Sequence, residues 1–521
     1  MLAILSWIRH PDRVQGTSEP NPELLDAAAL CGHLVPAGSV HAFLGDHRHQ
    51  LFPDKLFVDL FPSDRGRPSV PADVIATTMV LQALEGLSDR DAIRQLQTNI
   101  TWKVATGLSL ADEGFHPTVL TLWRNKLRAS DAPERIFEAV RAVIDATGVL
   151  KGRTRRALDS TVLDDAVATQ DTVTQLISAI RRVRRLVPEA SSIALLGHDY
   201  DDGAKPVIAW DDPAAKEVFI TALVNDALAL IRALDAVALD TEQSDAIGLL
   251  ALVAGQDVEP GDTDGTWRIA PRTAPDRVIS TVDPESRHVH KTVREYRDGF
   301  KAHLAVEPET GLVTATTLTS GNTPDGPTGV ELLAGEGTGL DVLADSAYGS
   351  GPVRAALREA RHRQLIKPIP LRRHIAGGFT RDDFDFDHDA ATVSCPSGHT
   401  VAITARGYAS FERHCKTCPM RARCTTSARG MKLTITEHDR ELVLARHAWR
   451  EGAFANDYRR WRPMVERTIA WLVANGNRRV RYRGVARNQL WLSNRVAAIN
   501  IRRLVNLGVH HDGEGWALAA G

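Results

Sequence analysis

The spacing of apolar positions divides the chain into a helical first part and a strand-rich second part. Behind Gly66-Arg-Pro-Ser-Val-Pro, apolar residues over 72–84 recur every three or four positions and predict an amphipathic helix. Gly86-Leu-Ser-Asp-Arg-Asp supplies a stop and a Ser cap, so a second helix is expected through Leu96. After the loop 111–117, residues 118–128 read as a short helix with basic and amide side chains on one face. Several short helices ending in a basic one suit an all-α, helix-turn-helix-like DNA-binding region over 66–145, and equally a plain helical packing domain. Residues 1–65 mix helical periodicity with Pro and His and point to no chemistry.

From Leu150 the pattern changes. Residues 155–163 read as a strand, and Gly299-Phe-Lys-Ala-His-Leu-Ala-Val with Leu312-Val-Thr-Ala-Thr-Thr-Leu reads as a hairpin about Glu307-Pro-Glu-Thr-Gly. A helix-compatible stretch at 329–334, a strand at 340–344 and a further buried strand at 364–369 complete a mixed α/β sheet with helices on its faces. Two segments interrupt this order within the expected domain 150–505. Residues 166–265 are helix-like, best over 171–186 and 214–238, and read as a helical insertion. Residues 372–440 contain a cysteine cluster, and 506–521 form a tail.

At 521 residues the chain exceeds one ordinary domain, and 43% hydrophobic with 25% charged residues is a normal globular composition. The opening Met-Leu-Ala-Ile-Leu-Ser-Trp-Ile is too short to span a bilayer and lacks a basic flank, and no other apolar run is long enough, so a cytoplasmic protein with no membrane partner is expected. Charge changes the picture more. Residues 446–503 hold fourteen arginines against three acids, a local +11 that leaves −13 for the rest of a chain whose net charge is −2. Such a basic stretch is the footprint of phosphate binding, and Arg459, Arg462, Arg478, Arg479, Arg481 and Arg483 are expected to border the cleft that holds the chemistry.

Three acids are the candidates for that chemistry. Asp159 and Asp345 end short apolar runs, in Ala-Leu-Asp-Ser-Thr and Leu-Ala-Asp-Ser-Ala-Tyr-Gly, and Glu466 lies on an arginine-rich helix. Two aspartates at neighbouring strand ends and a helical glutamate can hold a pair of hard divalent cations, Mg2+ or Mn2+, for in-line displacement at phosphorus. Arg462 and Arg459 lie one and two turns before Glu466, with Pro463 either starting a new helix or kinking a long one. Cys395, Cys415, Cys418 and Cys424 fit one tetrahedral structural Zn2+, with His399 as a spare ligand; unligated thiols or an iron–sulfur cluster are the alternatives. Cys31 stands alone. His288, His290 and His303 draw no metal assignment, and His303 reads as a structural or site-rim residue.

The blocks Ala157-Leu-Asp-Ser-Thr, Tyr296-Arg-Asp-Gly-Phe-Lys-Ala-His-Leu-Ala-Val, Ala344-Asp-Ser-Ala-Tyr-Gly and Arg462-Pro-Met-Val-Glu-Arg resemble, in order, the catalytic blocks of bacterial insertion-sequence transposases of the DDE type. The branch with a cysteine-bearing insertion before the glutamate, the insertion-sequence eleven-eighty-two family, is the most similar, from about Gly66 to about Arg503. The resemblance implies an RNase H-like core, metal-dependent cleavage at transposon ends and strand transfer into target DNA. It implies Asp159, Asp345 and Glu466 as metal ligands and Tyr458, Arg459 and Arg462 as DNA contacts. Its partners would be double-stranded DNA, as terminal inverted repeats and target, and a second copy of the chain on paired ends. Where some relatives carry a lysine two turns after the glutamate, this chain has Val473. A nuclease that stops after hydrolysis, or an inactive DNA-binding repressor, would be built from the same parts.

Overall fold

A computed structural model of the chain describes residues 14–18, 25–63, 66–290, 296–371, 373 and 375–519; the apolar opening stretch 1–8 and the side chain of His290 lie outside the described residues. A six-stranded sheet lies at its centre, in the order Arg287–His290, Tyr296–Glu307, Arg155–Asp164, Asp341–Ala344, Arg363–Ile366, with Leu312–Ser320 also pairing with Tyr296–Glu307. The strand Arg155–Asp164 runs antiparallel to Tyr296–Glu307, with Asp159 opposite Leu304, and parallel to Asp341–Ala344, with Ala157 opposite Leu343. The last two strands are also parallel. The mixed sheet flanked by helices expected from the sequence is thus present; the last strand, expected over 364–369, ends at Ile366, where Pro368 cannot donate to the ladder.

These strands read as apolar runs because the sheet is covered on both faces. Ala157, Leu158, Leu304, Ala305, Val306, Val342, Leu343 and Ala344 are all buried. The hairpin turn is set by Glu307, itself buried, whose carboxylate accepts from the Glu309 and Thr310 amides at 3.0 and 2.8 Å and from the Thr310 hydroxyl at 2.7 Å. At Gly299 the two central strands approach so closely that a Cβ would lie 2.0 Å from the Leu163 carbonyl oxygen, at a φ of +149°. Only glycine fits there.

The amino-terminal helices Ala72–Glu85, Asp89–Thr98 and Thr118–Ala129 occur where expected, joined by Ile100–Thr106 and Arg135–Ala146. One expectation changes. The helix Ala72–Glu85 is buried on nearly every side rather than amphipathic, because helices Val40–Leu51, Ile100–Thr106 and Val485–Asn506 all pack against it. A helix apolar all round belongs inside a core. It stops at Gly86 (φ +70°), and Ser88 caps its successor by accepting from the Asp91 amide at 3.1 Å. Leu44, Leu81, Trp102, Leu127 and Ile144 share one continuous core with sheet residues Leu163, Phe300 and Leu343 and with Leu492 and Ile499 of the helix Val485–Asn506.

The two interrupting segments have cores of their own. Helices Thr172–Leu186, Pro213–Leu234 and Thr241–Gln256 pack around Leu176, Ile180, Leu223 and Leu250. The cysteine segment builds a three-stranded sheet and the pair Tyr408–Ser410 with Lys432–Thr434 around Phe384, Val393, Phe411 and Leu433. Among the described residues no helix is long and apolar enough to cross a membrane.

Candidate active site

The sheet register brings the two aspartates level. Ala157 pairs with Leu343 on parallel strands, so Asp159 and Asp345, each two residues further on, stand side by side at the same end. Asp345 caps the turn that follows, its Oδ1 accepting from the Ala347 amide at 2.8 Å. Asp159 Oδ1 accepts from the Ser160 amide at 2.9 Å.

Glu466 arrives on the helix Pro463–Val473, which packs across Arg155–Asp164 and Tyr296–Glu307. Pro463 occupies its first turn, and Arg462 forms the joint with the preceding helix Ala455–Trp461, its amide donating to the Tyr458 carbonyl at 3.0 Å. The proline therefore starts a new helix. Arg459 stays on the earlier one and donates to Asn456 Oδ1 at 2.8 Å.

Arg462 links the acids. Its side chain is 6% exposed; Nη2 lies 2.9 Å from Asp159 Oδ2 and Nη1 3.8 Å from Glu466 Oε1. Among the described residues, Nε and Nη1 have no hydrogen-bond partner, and both are closed off from solvent. Glu466 itself is 65% exposed. Burial raises the Asp159 carboxyl above the ordinary carboxylate range and the Asp345 charge adds to this, while Arg462 and the Ser160 amide oppose it. Tyr458 lies against Arg462; its hydroxyl is pushed up by burial and by the charges of Asp345 and Glu466.

Beside the aspartates is a polar group built on Asp325, which the sequence did not single out, and on His303, which it read as a structural or site-rim residue. Asp325 Oδ1 accepts from Ser160 Oγ at 2.9 Å and from Lys301 Nζ at 3.1 Å, and lies 3.8 Å from His303 Nδ1. Asp325 opens the helix Asp325–Leu333, so in sequence it signals no more than a helix start. His303 is fully buried; Nε2 contacts Thr319 Oγ1 at 2.9 Å, and burial lowers its pKa to about 4. His288 pairs with Asp298, outside this group.

Of the remaining arginines, Arg478 and Arg479 lie along the end of the Asp159 strand. Arg478 donates to the Val162 carbonyl at 3.0 Å and Arg479 to the Asp165 carbonyl at 3.0 Å, while the backbone of Arg478 and Val480 pairs with Asp164. Arg481 donates to the Gly86 carbonyl. Arg483 lines a separate cavity with Arg181, Arg182 and Arg185.

The four cysteines line one small enclosed space together with Ser397, His399, His414 and Met431. The Met431 amide donates to Cys415 Sγ at 3.4 Å, and Ser397 Oγ lies 3.3 Å from Cys418 Sγ. Burial pushes the Cys424 thiol up, and charge on Cys418, Cys415 and Cys395 adds to the shift. Both donor sets suit a cation by chemistry: hard oxygens with mutually repelling charges in one case, four sulfurs in the other. Among the described residues, however, no three His, Cys, Asp or Glu side chains stand in a ready-made metal-binding arrangement. At the acids, the Arg462 guanidinium lies between Asp159 and Glu466.

Comparison with known proteins bears on two parts of this structure. A family model described as Transposase DDE domain matches residues 394–505, which include the four clustered cysteines, Arg462 and Glu466 but neither aspartate. A second, Transposase domain (DUF772), matches residues 34–126 and so begins well inside the segment to which sequence reasoning gave no role. No curated protein and no solved structure matches the chain. The helix that carries Glu466 and the buried helices near the start of the chain thus each fall within a stretch similar to a transposase domain, which supports a transposase of the DDE type.

Proposed function

We propose that this chain is a DDE transposase of the insertion-sequence eleven-eighty-two branch that cleaves DNA at transposon ends and joins the freed strand to target DNA. The observation that carries this reading is the meeting of Asp159 and Asp345 on adjacent parallel strands with a helix whose Arg462 is bonded to Asp159 and whose Glu466 is one turn on. The strand order of the central sheet supports an RNase H-like core.

Asp159, Asp345 and Glu466 would hold the metal. A pair of divalent cations, Mg2+ or Mn2+, would supply activation of the attacking hydroxyl and neutralisation of the leaving oxygen. The protein's own groups set the frame. Fixed by the Ala347 amide, Asp345 keeps one oxygen free to face Asp159. Arg462 favours the ionised form of buried Asp159 and holds the start of the Glu466 helix against it. Tyr458 stands beside it as a DNA contact. Cys395, Cys415, Cys418 and Cys424 would hold a structural zinc that orders the approach to the Glu466 helix.

The test is cleavage and joining of DNA carrying the inverted repeats that flank the coding region, in Mg2+ or Mn2+. Wild type should yield nicked ends and strand-transfer products; Asp159→Asn, Asp345→Asn and Glu466→Gln should each lose both while still binding the ends. Cleavage without joined products would point to a nuclease, and an Asp345→Asn protein that still cuts would remove the proposal.

A further inference from the structure

The helical insertion carries a cluster of cations that the acid site does not use. Arg181, Arg182 and Arg185 on the helix Thr172–Leu186, Lys205 on the following loop and Arg483 from the arginine-rich segment line one open cavity of about 590 Å3. No carboxylate lines it among the described residues. Its floor is polar and fixed: Thr281 Oγ1 contacts Gln170 Oε1 at 2.9 Å and Ser178 Oγ at 2.8 Å. Nearby Arg184 differs, forming a two-pronged pair with Asp201 at 3.1 Å outside the cavity.

Among the described residues, the lining cations lack acidic partners. Arg181 donates only to the Tyr200 and Asp202 carbonyls, and Arg182 Nε is buried with no hydrogen-bond partner. Five like charges converging without a counter-charge repel one another, and a buried guanidinium nitrogen without an acceptor is costly. An anion placed in the cavity relieves the repulsion.

We propose that this cavity binds the phosphate backbone of duplex DNA, so that the insertion acts as a second hold on the same DNA that enters the acid site. This rests on the transposase reading above. Extent favours a duplex over a small phosphate. Arg181 and Arg185 are about 6 Å apart along their helix axis, a separation that addresses successive phosphates rather than one. Continuity favours it too: Arg478 and Arg479 sit at the end of the Asp159 strand, and Arg483 follows them into the cavity. From Asp159 to that strand end is about 16 Å at roughly 3.3 Å per residue. A duplex with one charge per about 1.7 Å can span that distance with a few base pairs.

The experiment is the salt dependence of binding of a mixed-sequence DNA duplex to the full-length chain between about 50 and 200 mM salt. Arg182→Ala with Arg185→Ala should reduce the magnitude of the log–log slope by about 1.8, at roughly 0.9 for each phosphate no longer neutralised. Arg184→Ala should leave it unchanged. Arg185→Glu, at an exposed position, carries the same test if the double variant does not fold. A wild-type slope in both R182A/R185A and R185E overturns the cavity assignment alone. Failure of wild type to bind duplex DNA overturns the functional reading and the cavity's occupant with it. If inorganic phosphate or ATP binds through Arg182 and Arg185 while the duplex slope stays fixed, the site is one for small phosphates and the proposal fails.

Discussion

At Arg462 one nearly buried guanidinium faces two carboxylates, 2.9 Å from Asp159 and 3.8 Å from Glu466. Planarity matters there, since a lysine retains the charge but cannot present two donors in a fixed fork. Arg462→Lys should therefore cut DNA far more slowly than wild type at near-normal DNA affinity, whereas Arg462→Ala should also lower the melting temperature, by the equivalent of about 2 kcal/mol for a hydrogen bond to a charged group. His303 gives a stability prediction with a definite sign. Its folded pKa, about 4, lies below the unfolded value of 6.5, so its contribution to stability is complete above 6.5 and is lost as pH falls from 6.5 towards 4. In His303→Gln, urea midpoints measured over that window should fall less steeply than in wild type, with a difference on the order of 3 kcal/mol by pH 4. Equal slopes would show that His303 accepts a proton freely in the fold. The placing of Asp159 and Asp345 at neighbouring strand ends was legible in the sequence because each closes a short apolar run. Asp325 was not: its partner Ser160 is 165 positions away and meets it only once the sheet is assembled.

Among the elements, the strands were the most legible, since runs such as Val342-Leu-Ala and Phe300 to Val306 are buried on both faces. The arginine-rich stretch was the least. Charge density cannot distinguish an arginine open to phosphate from one that closes carbonyl groups at a helix end. Arg495 is of the second kind: its guanidinium donates to the Leu472 carbonyl at 3.1 Å and the Leu84 carbonyl at 2.7 Å, and also to those of Trp471 and Ala83. It ties the ends of Ala72–Glu85 and the Glu466 helix to Val485–Asn506. Arg495→Met should lower stability by about 3 kcal/mol or more, because several helix-terminal carbonyls lose their donors inside the protein; thermal melts would show it. The cysteine segment makes a compositional prediction. Elemental analysis of protein purified without chelator should find one zinc per chain, and Cys418→Ser should lose the metal and become sensitive to proteolysis between residues 372 and 440. Protein free of zinc that resists protease equally would show that the small core around Phe384, Val393 and Phe411 holds the segment alone.

For the whole molecule, the sequence suggested separate units over 66–145 and 150–505, whereas the structure shows a single core running through both. Periodicity reports which face of a helix is apolar, but not what covers it, so the division was not readable from pattern alone. A fragment of residues 34–146 should accordingly be largely unfolded by circular dichroism, its buried faces having been stripped of Val485–Asn506. A fragment as helical as the intact chain would show the contrary. The same shared core also acts in time. Helix Val485–Asn506 packs on helices more than three hundred positions earlier, and contacts of such long sequence separation form late and slowly. During synthesis the amino-terminal helices and the sheet must wait, with apolar faces exposed, until residue 506 has been added. Glu466 is set by a helix held to that late arrival through Arg495, so Glu466 takes up its place beside Arg462 and Asp159 only once the helix Val485–Asn506 has been made.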